Sequence, residues 1–180
     1  VMDLYADKAP AHVALFIKTA EAGGYDGTTF FRMVRYGIIH GGDPMTKDPS
    51  ARAKYGSSGL NLVTHETNDE KHTRGAVSTV ELPGRPDSGG TQFFISVTDQ
   101  PGLDGRYTVF ARVVEGMLVA QKISETAVDD TGVAVERVVV TKDHTTLVGG
   151  GGDKKAIAAR IETLRREHAK ATSDYDKEKL

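Results

Sequence analysis

Three stretches of this sequence gather side chains that can do chemistry together. The first is Phe30-Phe31-Arg32-Met33-Val34, followed closely by Ile38-Ile39-His40-Gly41-Gly42-Asp43-Pro44. The second is Asp87-Ser88-Gly89-Gly90-Thr91-Gln92-Phe93-Phe94-Ile95, and the third Gly102-Leu103-Asp104-Gly105-Arg106-Tyr107-Thr108-Val109-Phe110. Neighbouring side chains on a strand point to opposite faces, so Phe30 and Arg32 share a face, as do Gln92 and Phe94. A cation, an amide and aromatic rings can then line one concave surface. The plainer alternative makes Phe30 and Phe94 core, Arg32 a solvated edge residue and Gln92 incidental.

Other chemistries fail on inspection. No Gly-x-Ser-x-Gly elbow is present to expose a serine nucleophile. Gly149–Lys155 lacks the Gly-Lys-Ser/Thr ending of a phosphate loop and reads as a flexible linker. His65-Glu66 opens a zincin-like string, but Asp69 stands where the second histidine belongs and His72 is at the wrong offset. A polar surface loop is the expectation for His65–His72. Asp129-Asp130-Thr131-Gly132 lacks the alternating acids and final Glu of a calcium loop. With no cysteine, disulfides, thiolate metal sites and thiol catalysis are excluded.

The elements that must position these residues are mostly strands. Pro10 suits the first turn of a helix, Val13, Phe16, Ile17 and Ala20 follow at helical spacing, and Gly23-Gly24 ends the run. Val1–Tyr5, Thr28–Val34, Ala76–Val80, Gln92–Val97, Thr108–Val113 and Val135–Thr141 read as β segments, separated by Gly-, Pro- and Asp-rich turns. A shorter helix is expected over Met117–Ile123. Many short strands with few helices imply an antiparallel sandwich or barrel with helical covers.

Composition agrees. The chain has 180 residues, 38% hydrophobic and 27% charged, enough for a real core and too apolar for a disordered chain. The net charge of −2 recommends no nucleic-acid partner, and no apolar run approaches a membrane span of roughly 18 residues. Charge is uneven: residues 1–136 hold 13 Lys+Arg against 18 Asp+Glu, and residues 137–180 hold 10 against 7. Gly149–Gly152 marks a change of character. Beyond it Asp153 and Ser173 are helix-capping candidates, and Ile157, Ile161 and Leu164 form a thin apolar stripe that needs a partner surface. Val1 at the start and the abrupt end at Leu180 suggest a fragment or processed chain. The cytoplasm is the expected compartment.

Taken together, the motifs resemble one family. Phe-x-Arg, Gly-Gly-Asp-Pro, Gly-Thr-Gln-Phe-Phe-Ile and Leu-Asp-Gly-(Arg)-Tyr-x-Val-Phe occur in the order and spacing of cyclophilins, the cyclophilin-type peptidyl-prolyl cis/trans isomerases. Tyr5–Pro10 and Asn68–Gly75 look like further segments, in the style of bacterial members. The resemblance covers about residues 1–140 and implies a mainly β fold: an antiparallel barrel capped by two helices, here without the family's first strand. It also implies an isomerase for X–Pro bonds in proline-containing polypeptides, needing no metal or cofactor. By the same resemblance Arg32 is the catalytic residue and Gln92 holds the substrate backbone. Phe94, Leu103 and Ile38 form the seat for the proline ring. Tyr107 falls where many members carry His and some bacterial ones Tyr, and Val80 where a small residue contacts the substrate backbone.

Several positions depart from the family. His40 replaces the Gln that helps orient the arginine; a protonated imidazole there would repel Arg32, so weaker activity, falling further at acid pH, is expected. Gly102 stands in place of a tryptophan or other bulky residue, thinning one pocket wall and arguing against cyclosporin-type binding. Gly37, Glu81 and the longer Leu82–Asp87 stretch also differ. A catalytically weak proline-peptide binding module is the alternative these changes suggest. From about Arg137 the match shifts: Arg137–Thr146, Ile157–Arg166 and Ala171–Leu180 resemble part of a group I chaperonin subunit. Residues 141–180 are thus expected to be a Gly-rich linker and a chaperonin-like helical segment. A natural fusion, an engineered chimera or a sequence assembled from two genes are the origins this suggests, and a chaperone fragment is the third functional reading.

Overall fold

The computed structural model describes residues 1–141 and 145–148, within a compact unit spanning Val1–Val148. Its elements in chain order are β1 (Met2–Leu4), α1 (Pro10–Glu21), β2 (Thr29–Val34), β3 (Ile38–Gly41), β4 (Ala76–Thr79), β5 (Phe93–Ser96), β6 (Val109–Val113), α2 (Met117–Ser124), β7 (Val133–Val140) and β8 (Thr145–Val148). Short 3-10 helices at Pro44–Lys47, Pro49–Lys54 and Pro101–Leu103 each begin on a proline, whose fixed φ suits a first helical position. The helices expected after Gly152 lie outside the described residues.

All strand pairs are antiparallel, in the order β1-β6-β4-β5-β3-β2-β7-β8. Register explains how one sheet makes both a core and a site. Met33, Ile39, Ile95, Val77 and Ala111 are successive cross-strand partners from β2 to β6, and all five are buried in one apolar cluster. Residues one place along point the other way. Arg32, His40 and Phe94 are therefore a second row, in register across β2, β3 and β5 on the outer face. Leu4 of β1 and Val138 of β7 reach the same cluster, so the sheet curls around its core. α1 covers it with Ala9, Val13 and Phe16, whose ring lies 5.5 Å from Phe110 and 5.9 Å from Phe93. α2 adds Ala120 and Ile123.

One strand breaks the alternation. β2 pairs Phe30 with Val138 but Arg32 with Val133, so the register shifts between them. Phe30 turns into the core, edge-on to Phe93 at 6.1 Å, and Phe31 joins Arg32 on the outer face. The expectation that Phe30 and Arg32 share a face is corrected: two steps along β2 are matched by five along β7, and this irregular pairing resets the period-two pattern.

Candidate active site

A cavity of about 860 Å³ opens on the outer face of β2, β3 and β5. Arg32, Ile38, His40, Val80, Gln92, Phe94, Leu103 and Tyr107, the eight residues singled out from sequence, all line it. Arg32 sits on the exposed outer face of β2, and its guanidinium has no hydrogen-bond or ion-pair partner among the described residues. Five N–H donors are thus available to a bound molecule.

The cavity floor is Phe94. Its ring is sandwiched by His72, nearly parallel at 5.8 Å, and by Tyr107, edge-on at 5.5 Å. His72 is fully buried rather than part of a polar surface loop. Its backbone N–H donates to Asp104 Oδ1 at 2.8 Å, and its ring Nδ1 lies 3.2 Å from the same oxygen. Asp104 directly follows the 3-10 turn that carries Leu103, so one buried imidazole ties the floor to the Leu103 wall. Burial lowers the pKa of His72, favouring the neutral ring. His65, also expected on a surface loop, is part-buried and 2.9 Å from Glu81 Oε1. Among the described residues no group of three or more His, Asp or Glu is arranged to hold a metal ion.

Gln92 and His40 form a fixed pair. Gln92 Nε2 donates to the carbonyl of Ser58 at 2.6 Å, which orients the amide so that Oε1 faces His40 Nε2 at 2.8 Å. An amide oxygen only accepts, so His40 carries its proton on Nε2. Desolvation lowers the pKa of this buried imidazole to about 4, opposed by the Gln92 bond and assisted by the charge of Arg32. Among the described residues His40 makes no hydrogen bond to Arg32; it holds Gln92 instead, leaving that amide one N–H and one lone pair for a substrate.

Gly41-Gly42-Asp43 shapes the turn beside this pair. Gly42 has φ +81, and a Cβ there would fall 2.3 Å from the Thr91 carbonyl oxygen, so only glycine lets the two loops meet. Asp43 is fully buried and accepts from Met45 N at 2.8 Å, Gly56 N at 2.5 Å and the Ser58 hydroxyl. It thereby sets the Gly56–Ser58 segment whose carbonyl orients Gln92.

The comparisons with known proteins bear on this arrangement. Residues 1–145 match the family model described as cyclophilin type peptidyl-prolyl cis-trans isomerase/CLD. The chain belongs to the cyclophilin family. It is 35% identical over 123 residues to peptidyl-prolyl cis-trans isomerase cypE of Dictyostelium discoideum, covering 68% of this chain and 76% of that one. It is 36% identical over 129 residues to a Helicobacter pylori peptidyl-prolyl cis-trans isomerase, covering 69% and 73%. A crystal structure of a Cryptosporidium parvum cyclophilin, solved in the presence of the dipeptide Ala-Pro, superposes with a TM-score of 0.68 at 21% identity. That match covers 83% of this chain and 92% of the other, and shows the same fold.

Sequence reasoning about this cyclophilin missed Phe31, Arg52, Tyr55, Thr131 and Val133, which also line the cavity. Phe31 packs 4.5 Å from the His40 ring and 5.8 Å from Tyr55. Its neighbour Phe30 had the same credentials, and nothing local distinguishes them. Arg52 lies 77 residues from its partner Asp129, a separation that no motif bridges.

Proposed function

We propose that this cavity is the catalytic site of a peptidyl-prolyl cis/trans isomerase, with Arg32 as its catalytic residue. Rotation about a peptide bond meets a barrier of roughly 18–20 kcal/mol because amide conjugation is lost on the way. For X–Pro the two isomers differ by only about 0.5–1 kcal/mol, so the equilibrium is balanced and only the rate is slow. No bond is cleaved, and neither nucleophile nor proton relay is needed. The enzyme has only to bind the twisted amide better than either planar form. At the twist the prolyl nitrogen regains its lone pair and becomes an acceptor, which a cavity-lining guanidinium without a partner among the described residues can meet.

The observation that carries this reading is the row Arg32, His40, Phe94 on one outer face. Phe94, Ile38 and Leu103 form the apolar seat for the proline ring. Gln92 and Val80 hold the flanking backbone, and Tyr107 closes the side of the seat. Proline-containing polypeptides are the proposed substrates. Two tests apply. In a protease-coupled assay on a short X–Pro peptide, this protein accelerates cis-to-trans exchange well above buffer; a rate equal to buffer, with the peptide bound, replaces the enzyme by a proline-peptide binding module.

We also infer that residues 141–180 are a chaperonin-like appendage. Support comes from the Thr172-Ser173-Asp174-Tyr175-Asp176-Lys177-Glu178-Lys179-Leu180 stretch, which lies outside the described residues. Removing residues 149–180 then abolishes capture of unfolded protein while leaving peptide turnover unchanged. Retained capture contradicts the inference.

A further inference from the structure

Among the described residues Arg32 has no hydrogen-bond partner to aim it, and His40 is committed to Gln92. The direction of the guanidinium is therefore set by what flanks its stem. On the β7 side that is the turn Asp129–Val133. Val133 is the register partner of Arg32, and Met33 N donates to the Gly132 carbonyl at 3.1 Å. Gly132 has φ +78, and a Cβ placed on it would lie 3.9 Å from Arg32 Nε and 4.0 Å from Cγ. The arginine stem runs along this backbone.

The turn is itself held. Asp129 Oδ1 accepts from Thr131 N at 2.9 Å, the Thr131 hydroxyl at 2.6 Å and Val133 N at 3.1 Å. Its other oxygen faces Arg52 Nη2 at 2.7 Å. Arg52 also donates Nη2 to the Val133 carbonyl at 3.2 Å and Nη1 to the Ala134 carbonyl. One planar guanidinium thus ties the turn to the start of β7, a geometry that a lysine ammonium cannot copy.

We propose that Arg52 is a positioning residue for turnover: it clamps the Asp129–Val133 turn to the start of β7 and so fixes the wall along which Arg32 extends into the cavity. The proposal rests on the reading of Arg32 as the catalytic group. It matters because a long side chain with many rotamers loses effectiveness steeply when displaced, and a shift of about 1 Å can cost roughly a hundredfold.

Arg52→Ala, Arg52→Lys and Arg32→Ala are assayed in the full chain by NMR exchange on an X–Pro peptide, with peptide Kd and thermal midpoint measured alongside. Arg52→Ala should lower the exchange rate of bound peptide roughly ten- to hundredfold with Kd within about twofold, and Arg52→Lys should fall between it and wild type. The Nε–H resonance of Arg32, labelled with nitrogen-15, should shift in Arg52→Ala toward that of a free arginine side chain. A folded Arg52→Ala protein with wild-type exchange, or a loss carried wholly by Kd, overturns the proposal. Should Arg52→Ala not fold, Asp129→Asn, which discharges the same pair but keeps an acceptor for Thr131, gives the same reading by the same criteria. If Arg32→Ala keeps full turnover, the catalytic assignment falls and takes this proposal with it. If Arg32→Ala abolishes turnover while Arg52→Ala leaves it intact, the clamp alone is wrong.

Discussion

His40 shows how far burial can alter a side chain that sequence reads as a pH switch. A histidine beside an arginine suggests a charge that comes and goes near neutrality. Inside the sheet, desolvation takes its pKa down to about 4, so it stays neutral through the range in which most enzymes work. The expected loss of activity in mild acid is accordingly moved: as far as His40 is concerned, turnover should hold to about pH 5 and fall as pH approaches 4. Stability responds earlier. The unfolded chain takes up this proton as pH falls through about 6.5, while the native state resists until about 4, so stability present above 6.5 is lost as pH falls between those values. The loss is on the order of 3 kcal/mol. His40→Gln removes it, so urea unfolding at pH 6.5 and pH 4 should show the variant gaining about that much on wild type; equal pH dependence would contradict the burial argument. Gly102 allows a simpler test. A Cβ there meets nothing within 4 Å, so Gly102→Trp should fold normally and, by thickening the cavity wall, tighten proline-peptide binding threefold or more. An unchanged Kd would show that this wall does not touch substrate.

At the scale of elements, the site depends on register and on two loops held by carboxylates. Alternation at β5 was legible from Gln92 and Phe94, whereas β3 was not read as a strand at all, yet it obeys the same rule: Ile38 and His40, like Gln92 and Phe94, face the cavity while Ile39 and Phe93 face the core. β2 was only half legible. Its register shift arises from how β7 pairs with it, a hundred residues further on, and that pairing sends Phe30 inward and Phe31 outward. His72 and His65 were read as surface for a similar reason, since their partners Asp104 and Glu81 come from other segments. Asp43 carries the loop that orients Gln92, and three donors converge on its buried carboxylate. Asp43→Ala strands those donors and should cost on the order of 3 kcal/mol, read as a lower urea midpoint at unchanged slope. A loss under about 1 kcal/mol would mean that the loop is set by other contacts.

For the molecule as a whole, six of the strands, both helices and the eight cavity residues could be read before any coordinates, while β3 and β8 could not. Apolar periodicity and turn residues act locally, and the motifs sit at fixed spacing. The clamp between Arg52 and Asp129 and the Gln92–His40 bond could not, because they exist only once the sheet has curled. The eight strands of the described residues place a permanent cation and an aromatic seat on one outer face, with the apolar rows packed behind them. Among the described residues, no helix is long and apolar enough to cross a membrane. The central claim is that this cation stabilises the twisted amide rather than merely binding the peptide. Its most direct test is NMR exchange on an X–Pro peptide with wild type and Arg32→Ala, measuring the rate of bound peptide and Kd separately. The account predicts that Arg32→Ala loses roughly a hundred- to a thousandfold in rate while Kd rises less than about fivefold. Equal rates in the two proteins, or a loss that tracks Kd alone, would contradict it.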